Sequence, residues 1–88
     1  MKRGDIVRVV WTDAHSIQGW SGPHEIDRTI QDPLSKCIHA GLFIAKTKTA
    51  LILTFGISAY GNCDGTIEIP LSCIESTKIL EASMLEKM

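Results

Sequence analysis

The stretch "VVWTDAHSIQGW", residues 9–20, concentrates side chains that could do chemistry. A run typical of a buried strand ends at Trp11, and an acid, a histidine and a second tryptophan follow in quick succession. Aromatic faces together with a few polar groups suit a pocket for a nucleobase or another small ligand. One interpretation therefore places five residues on one concave ligand-binding surface: Trp11, Asp13, His15, Trp20 and His24.

The same residues allow two other interpretations. In a purely structural one, Trp11 packs at the end of a barrel, Trp20 anchors the following loop and Asp13 bonds loop backbone, as aspartate does in turns. In a catalytic one, Asp13 orients the imidazole of His15, two residues away, as a general acid–base pair. No nucleophile, second acid or metal-ligand set joins them in the sequence, and all three interpretations remain open at this point.

The cysteines and the remaining histidine do not form a metal motif. Cys37, Cys63 and Cys73 are far apart, no CxxC pair occurs, and His39 shares a strand face with Cys37 only. Zinc sites normally show two closely spaced ligand pairs. We expect no metal ion and no cofactor, and we expect His39 to be a barrel residue whose hydrogen bonds are satisfied.

Hydrophobic periodicity supplies the elements that must position these residues. Alternation of apolar and polar residues predicts five strands, at residues 5–12, 36–46, 49–57, 65–70 and 74–80. The excursion 13–35 between the first two should contain one short helix, with Pro23 in its first turn and with Ile26 and Ile30 forming an apolar stripe that lies on the barrel. This order predicts a mainly β fold, a small SH3-like or Sm-like five-stranded barrel.

The pattern also predicts the core and the domain limits. Residues 1–80 should form a single domain, followed by a tail at 81–88 that is either helical or frayed. The inward-facing positions should be mostly buried, namely Val7, Val9, Ile38, Leu42, Leu53, Phe55, Ile67 and Ile69.

Composition narrows the choice of partner and compartment. The chain has 88 residues, a net charge of −1 and 22% charged residues, so no bulk charge attracts it to nucleic acid or to an anionic membrane. No apolar run approaches the ~20 residues of a membrane span, and the N-terminus lacks the apolar core of a signal peptide. We expect a cytoplasmic protein with neither a membrane nor a nucleic acid as its partner.

Short motifs spread over residues 4–80 resemble a group of small uncharacterised phage and prophage proteins. The pattern of that group is roughly V-x-W-x-D-A, then G-W, then S-V-G-[FYW]-L before a hairpin, then I-P-x-x-x-[IV]. This chain departs from it at His39 and Ala40, where the group has Ser and Val, and it matches at nine positions: Trp11, Asp13, Ala14, Gly19, Trp20, Gly41, Ile69, Pro70 and Ile74. The resemblance implies a compact β fold of phage origin, with no activity attached.

Two function hypotheses follow. The first is a non-enzymatic accessory module of a phage that captures a host protein or a small ligand, such as a nucleotide signal, as a counter-defence in the host cytoplasm. The alternative is a small enzyme acting on a nucleotide or related phosphate compound, with Asp13 and His15 as acid–base residues. Strands 5–12 and 36–46 are apolar on both faces, so we also expect a homo-oligomer.

Overall fold

A computed structural model of the chain describes residues 1–13, 20–31, 35–83 and 85. The fold is mainly β, as predicted, and its strand bounds agree with the predicted ones to within two residues. The elements are β1 (Ile6–Asp13), α1 (Pro23–Gln31), β2 (Ser35–Lys46), β3 (Ala50–Ile57), β4 (Cys63–Pro70), a 3₁₀ turn (Leu71–Cys73) and β5 (Ile74–Glu81).

The five strands form one antiparallel sheet in the order β4-β3-β2-β1-β5. The long strand β2 joins its two halves: residues 35–42 pair with β1, and residues 42–46 pair with β3 across a bulge. β4 and β5 are the edges, and no ladder joins them in the described part of the chain. The sheet is therefore open where the sequence predicted a closed barrel.

The core lies between the two halves of the sheet. Val7 and Val9 from β1 are fully buried, and so is Ile69 from β4, while Leu51 and Leu53 from β3 are almost so. Trp11 and Phe43 complete the cluster. Side chains alternate between the two faces of β1, which explains why Val7 and Val9 are in the core while Arg8, on the opposite face, is exposed.

Two predicted core residues are at the surface. Ile38 is 70% exposed and Phe55 is 79% exposed, so the prediction of burial is wrong for both. Ile38 pairs with Val10 on the outer face of β1 and β2, while His39 pairs with the buried Val9 on the inner face. Leu42 and Ile67 are half-buried rather than buried.

Helix α1 forms as predicted, but its apolar stripe is uncovered. The helix begins where the carbonyl of Gly22 accepts from the N–H of Ile26, and Pro23 occupies its first turn. The expectation that Ile26 and Ile30 lie against the sheet is wrong, because they are 48% and 75% exposed. No described helix is long and apolar enough to cross a membrane.

The N-terminal turn and the tail meet at Asp5, a buried carboxylate. Its Oδ1 accepts the backbone N–H of Ser83 at 2.6 Å, and its Oδ2 accepts the backbone N–H of Lys2 at 2.8 Å. These bonds hold the pKa of Asp5 below its usual range. The main chain of Gly4 and Asp5 also pairs with Phe43 in β2. We call this cluster the Asp5 corner. The domain limit at residue 80 stays a prediction.

Candidate functional site

A cleft opens where β2 and β3 separate. Their last paired residues are Leu42 and Thr54, so the part of β2 before Leu42 is paired with β1 only, and the part of β3 after Thr54 with β4 only. The gap between them, which we call the fork cleft, has a volume of about 240 Å³. It is lined by His39, Ala40, Gly41, Leu53, Thr54, Phe55, Thr66 and Ile67.

The ring of Phe55 forms one wall of the fork cleft, and Gly65 of β4 leaves room for it. Gly65 has a φ of +66°, and a Cβ added there would lie 3.0 Å from Cδ2 of Phe55. The Oγ1 of Thr54, which is buried, lies within hydrogen-bonding distance of carbonyl oxygens beside this position, those of Gly56, Asp64 and Gly65. The side chain of Thr54 thus holds β3 and β4 together beside Phe55, while the ring of Phe55 remains exposed.

His39 brings a polar group to the fork cleft, and its bond to Trp11 determines the tautomer of the neutral imidazole ring. Trp11 Nε1 lies 2.9 Å from His39 Nδ1, and the two ring centroids are 5.7 Å apart. An indole N–H can only donate, so Nδ1 is the acceptor and the proton of the neutral imidazole is on Nε2. His39 therefore presents an N–H donor at Nε2, and the prediction that it is a satisfied barrel residue holds for one of its two nitrogens.

The five residues predicted to line one surface have different environments. Trp11 is buried and contacts His39; Asp13 is half-buried at the end of β1; Trp20 and His24 are exposed, Trp20 completely. His15 lies outside the described residues. No hydrogen bond or ring contact joins any two of the other four in the described part of the chain, and the shared surface stays a prediction.

The fold does not bring the described cysteines and histidines together into a metal site. No group of three His, Cys, Asp or Glu side chains that could hold a metal ion occurs among residues 1–13, 20–31, 35–83 and 85. The three cysteines are free thiols, with Cys63 exposed and Cys37 and Cys73 half-buried against the core.

The sequence contained one usable signal for the fork cleft. Gly41 lies in the middle of β2, where a Cβ would come within 2.9 Å of the carbonyl oxygen of Thr54. A glycine inside a strand often marks a close approach of two backbones or a sharp bend. Gly41 thus marked the place where β2 and β3 touch and then separate, although it carries no chemistry itself.

Comparison with protein-family models, with curated proteins and with solved structures finds no match for the chain.

Proposed function

We propose that the protein is a non-enzymatic binding module that captures a small ligand with a planar heterocycle, a nucleotide being the leading class. The observation that carries the proposal is the fork cleft itself. One exposed aromatic ring, that of Phe55, stands beside a mostly apolar gap to which His39 contributes an oriented N–H donor.

The chemistry of the fork cleft supports a flat, partly polar ligand. Leu53 and Ile67 supply apolar contact, Phe55 supplies a stacking face, and His39 and Thr66 supply hydrogen bonds that select an orientation. Stacking of a base on an aromatic side chain contributes ~1–3 kcal/mol, independently of base identity. Trp11 serves such a site as a positioning residue, because it acts through His39.

The strand order and the sequence motifs support a fold type and an origin for the protein. We propose an opened SH3-like barrel, supported by the strand order, the long first loop and the 3₁₀ turn between β4 and β5. Phage origin, and with it capture of a host signal as counter-defence, is supported by the sequence motifs that include Trp11, Gly41 and Pro70.

A thermal-shift screen of the full chain against nucleosides, nucleotides and cyclic dinucleotides tests the function. We expect at least one compound to raise the melting temperature, and we expect that compound to be recovered intact after the protein is denatured. A chemically changed compound would instead support the acid–base alternative built on Asp13 and His15. The absence of any shift would move the proposal to a host protein as the captured partner.

Two matched variants locate the site. Phe55→Ala should weaken binding of the identified compound roughly tenfold or more, in line with the loss of one stacking face. Tyr60→Ala removes an aromatic ring that is 94% exposed but lies outside the fork cleft, and it should bind like the wild type. Equal affinities of the two variants would place the ligand elsewhere.

A further inference from the structure

The outer face of β1 and β2 is a largely apolar surface, half-buried at Ile6, Val10 and Leu42 and exposed at Ile38 and Ala40. We define it by three cross-strand pairs, Ile6 with Leu42, Arg8 with Ala40, and Val10 with Ile38. Ile38 is 70% exposed, and a shallow cleft of about 390 Å³ lies at one end, bounded by Phe55. Apolar surface grouped in this way on one face of a sheet is a candidate interaction surface.

This outer face carries an uncompensated positive pair at its middle. Arg8 lies directly opposite Lys78 of β5, and like charges in such positions repel each other. Neither side chain has an ionic partner among the described residues, whereas Lys36 and Glu75 form an ion pair there. An occupant of the outer face should therefore bring apolar side chains flanked by an acid.

Helix α1 has this composition. Ile26 and Ile30 form one stripe at i, i+4 spacing, both are exposed, and Asp27 flanks the stripe on one side. Nine helical residues span about 13 Å, and the outer face from Ile6 to Val10 spans a similar length in extended chain. Ala40 has a smaller side chain than Ile38 and Leu42, which flank it on this face, and so leaves room there for an apolar side chain of a partner.

We propose that α1 of one chain packs on the outer face of a second copy, and that the second copy returns the same contact. In this arrangement Ile26 and Ile30 cover Ala40 and its neighbours, and Asp27 meets Arg8. One contact of a nine-residue helix is small, and a two-fold axis doubles it, which is the isologous arrangement typical of homodimers. Both apolar faces of the chain are then covered in one step.

The first test compares Ile30→Asp with Arg28→Asp by sedimentation velocity and light scattering at micromolar concentration. The wild type should be a dimer, and Ile30→Asp should raise its dissociation constant tenfold or more. Arg28→Asp places the same side chain on the opposite side of α1 and changes the net charge by more, yet it should remain dimeric. A wild type that is monomeric throughout overturns the proposal, and so does an Ile30→Asp variant that is still fully dimeric.

A charge exchange separates a second copy from the chain's own helix. Asp27→Lys and Arg8→Glu should each weaken the dimer, because each homodimer then brings like charges together at both contacts. An equimolar mixture should form a heterodimer. In that heterodimer the lysine introduced in one chain faces the glutamate introduced in the other, and the unchanged Asp27 faces the unchanged Arg8. A mixture that stays as dissociated as the separate variants, with unchanged melting temperatures, shows that α1 docks on its own chain or not at all and overturns the proposal.

Discussion

The Asp5 corner and the fork cleft lie on the same sheet and solve opposite problems. At the Asp5 corner, the main chain of residues 4–5 continues the pairing with Phe43, and two backbone N–H groups satisfy one buried carboxylate. At the fork cleft, β3 continues past its last pair with β2, and the ring of Phe55 is left 79% exposed. The first region closes an end of the sheet, and the second leaves an opening.

The difference bears on where stability and the proposed binding site lie. A fold of this size has little apolar surface to spare, so an exposed aromatic ring on a paired strand needs a reason. The polar groups beside Phe55 are bonded, since Thr54 donates to β4, so the exposure is not a sign of loose backbone. The closed region therefore accounts for stability, and the fork cleft is the proposed ligand site.

The largest effect should separate two neighbours on β3. Leu53→Ala removes a side chain that is 1% exposed and should cost ~2–5 kcal/mol of the free energy of unfolding. Phe55→Ala removes a ring that is 79% exposed and should cost less than about 1 kcal/mol. Urea unfolding followed by circular dichroism measures both. A Phe55→Ala loss comparable to that of Leu53→Ala would remove the distinction between core and cleft.

That pair also shows why the sequence predicted the strands better than their environments. Alternation located all five strands, but β2 is apolar on both faces, and only its pairing with β1 decides that His39 is inside and Ile38 outside. For Phe55, alternation could not reveal that β2 is paired with β3 only from Leu42 onward, so that β3 beyond Thr54 has β4 as a neighbour but not β2. Burial depends on where a partner strand ends, which is a long-range property.

The second prediction concerns Gly41, where β2 lies against β3. Gly41→Ala puts a Cβ within 2.9 Å of the Thr54 carbonyl oxygen, a backbone atom that cannot rotate away. We expect a loss of ~1–3 kcal/mol in the free energy of unfolding, as for other overpacked positions. Gly56→Ala is the control, because its Cβ would meet only Asp64 Cβ at an ordinary 3.8 Å. Equal losses for the two variants would contradict a tight contact at Gly41.

The third prediction tests the Asp5 corner through pH. The N–H groups of Lys2 and Ser83 lower the pKa of Asp5 in the folded state, so its carboxylate stabilises the fold at pH values above the ordinary aspartate pKa. That stabilisation is lost as pH falls below about 5 and through the lowered value. Asp5→Asn should flatten this acid limb of the stability curve.

Carbon-detected NMR titration of the Asp5 carboxyl group provides the direct measurement. A midpoint below the ordinary aspartate value of 3.8 supports the two backbone bonds, and a midpoint at or above that value contradicts them. Sequence reasoning placed Asp5 at the start of the first strand and could not pair it with Ser83, which is 78 residues away. Such a contact between the two ends of the chain has no local signal.

Of the residues that the sequence predicted for a ligand site, none that the structure describes lines the fork cleft. Trp11 acts on the cleft only through its bond to His39, whereas Phe55 was assigned to the core and His39 to a satisfied structural role. Trp20 and His24 are exposed on the excursion, and their share in binding stays a prediction. The pairing of β1 with β2 brings Trp11 and His39 together, and residue spacing alone does not show this.

The smallest expected effect isolates the Trp11–His39 bond from the packing of Trp11. Trp11→Phe keeps an aromatic ring in the core but removes the donor to Nδ1 of His39, and one neutral hydrogen bond contributes about 0.5–1.5 kcal/mol net to the free energy of unfolding.

The more telling measurement is the tautomer of His39, observed by long-range ¹H–¹⁵N correlation on the imidazole. The wild type should show the proton of the neutral ring on Nε2, because Nδ1 accepts from Trp11 at 2.9 Å. In Trp11→Phe the Nδ1–H form should become populated, and affinity for any fork-cleft ligand that bonds Nε2 should fall while that of Tyr60→Ala does not. A wild-type ring protonated on Nδ1 would contradict the bond, and with it the oriented donor that distinguishes the fork cleft from a plain apolar gap.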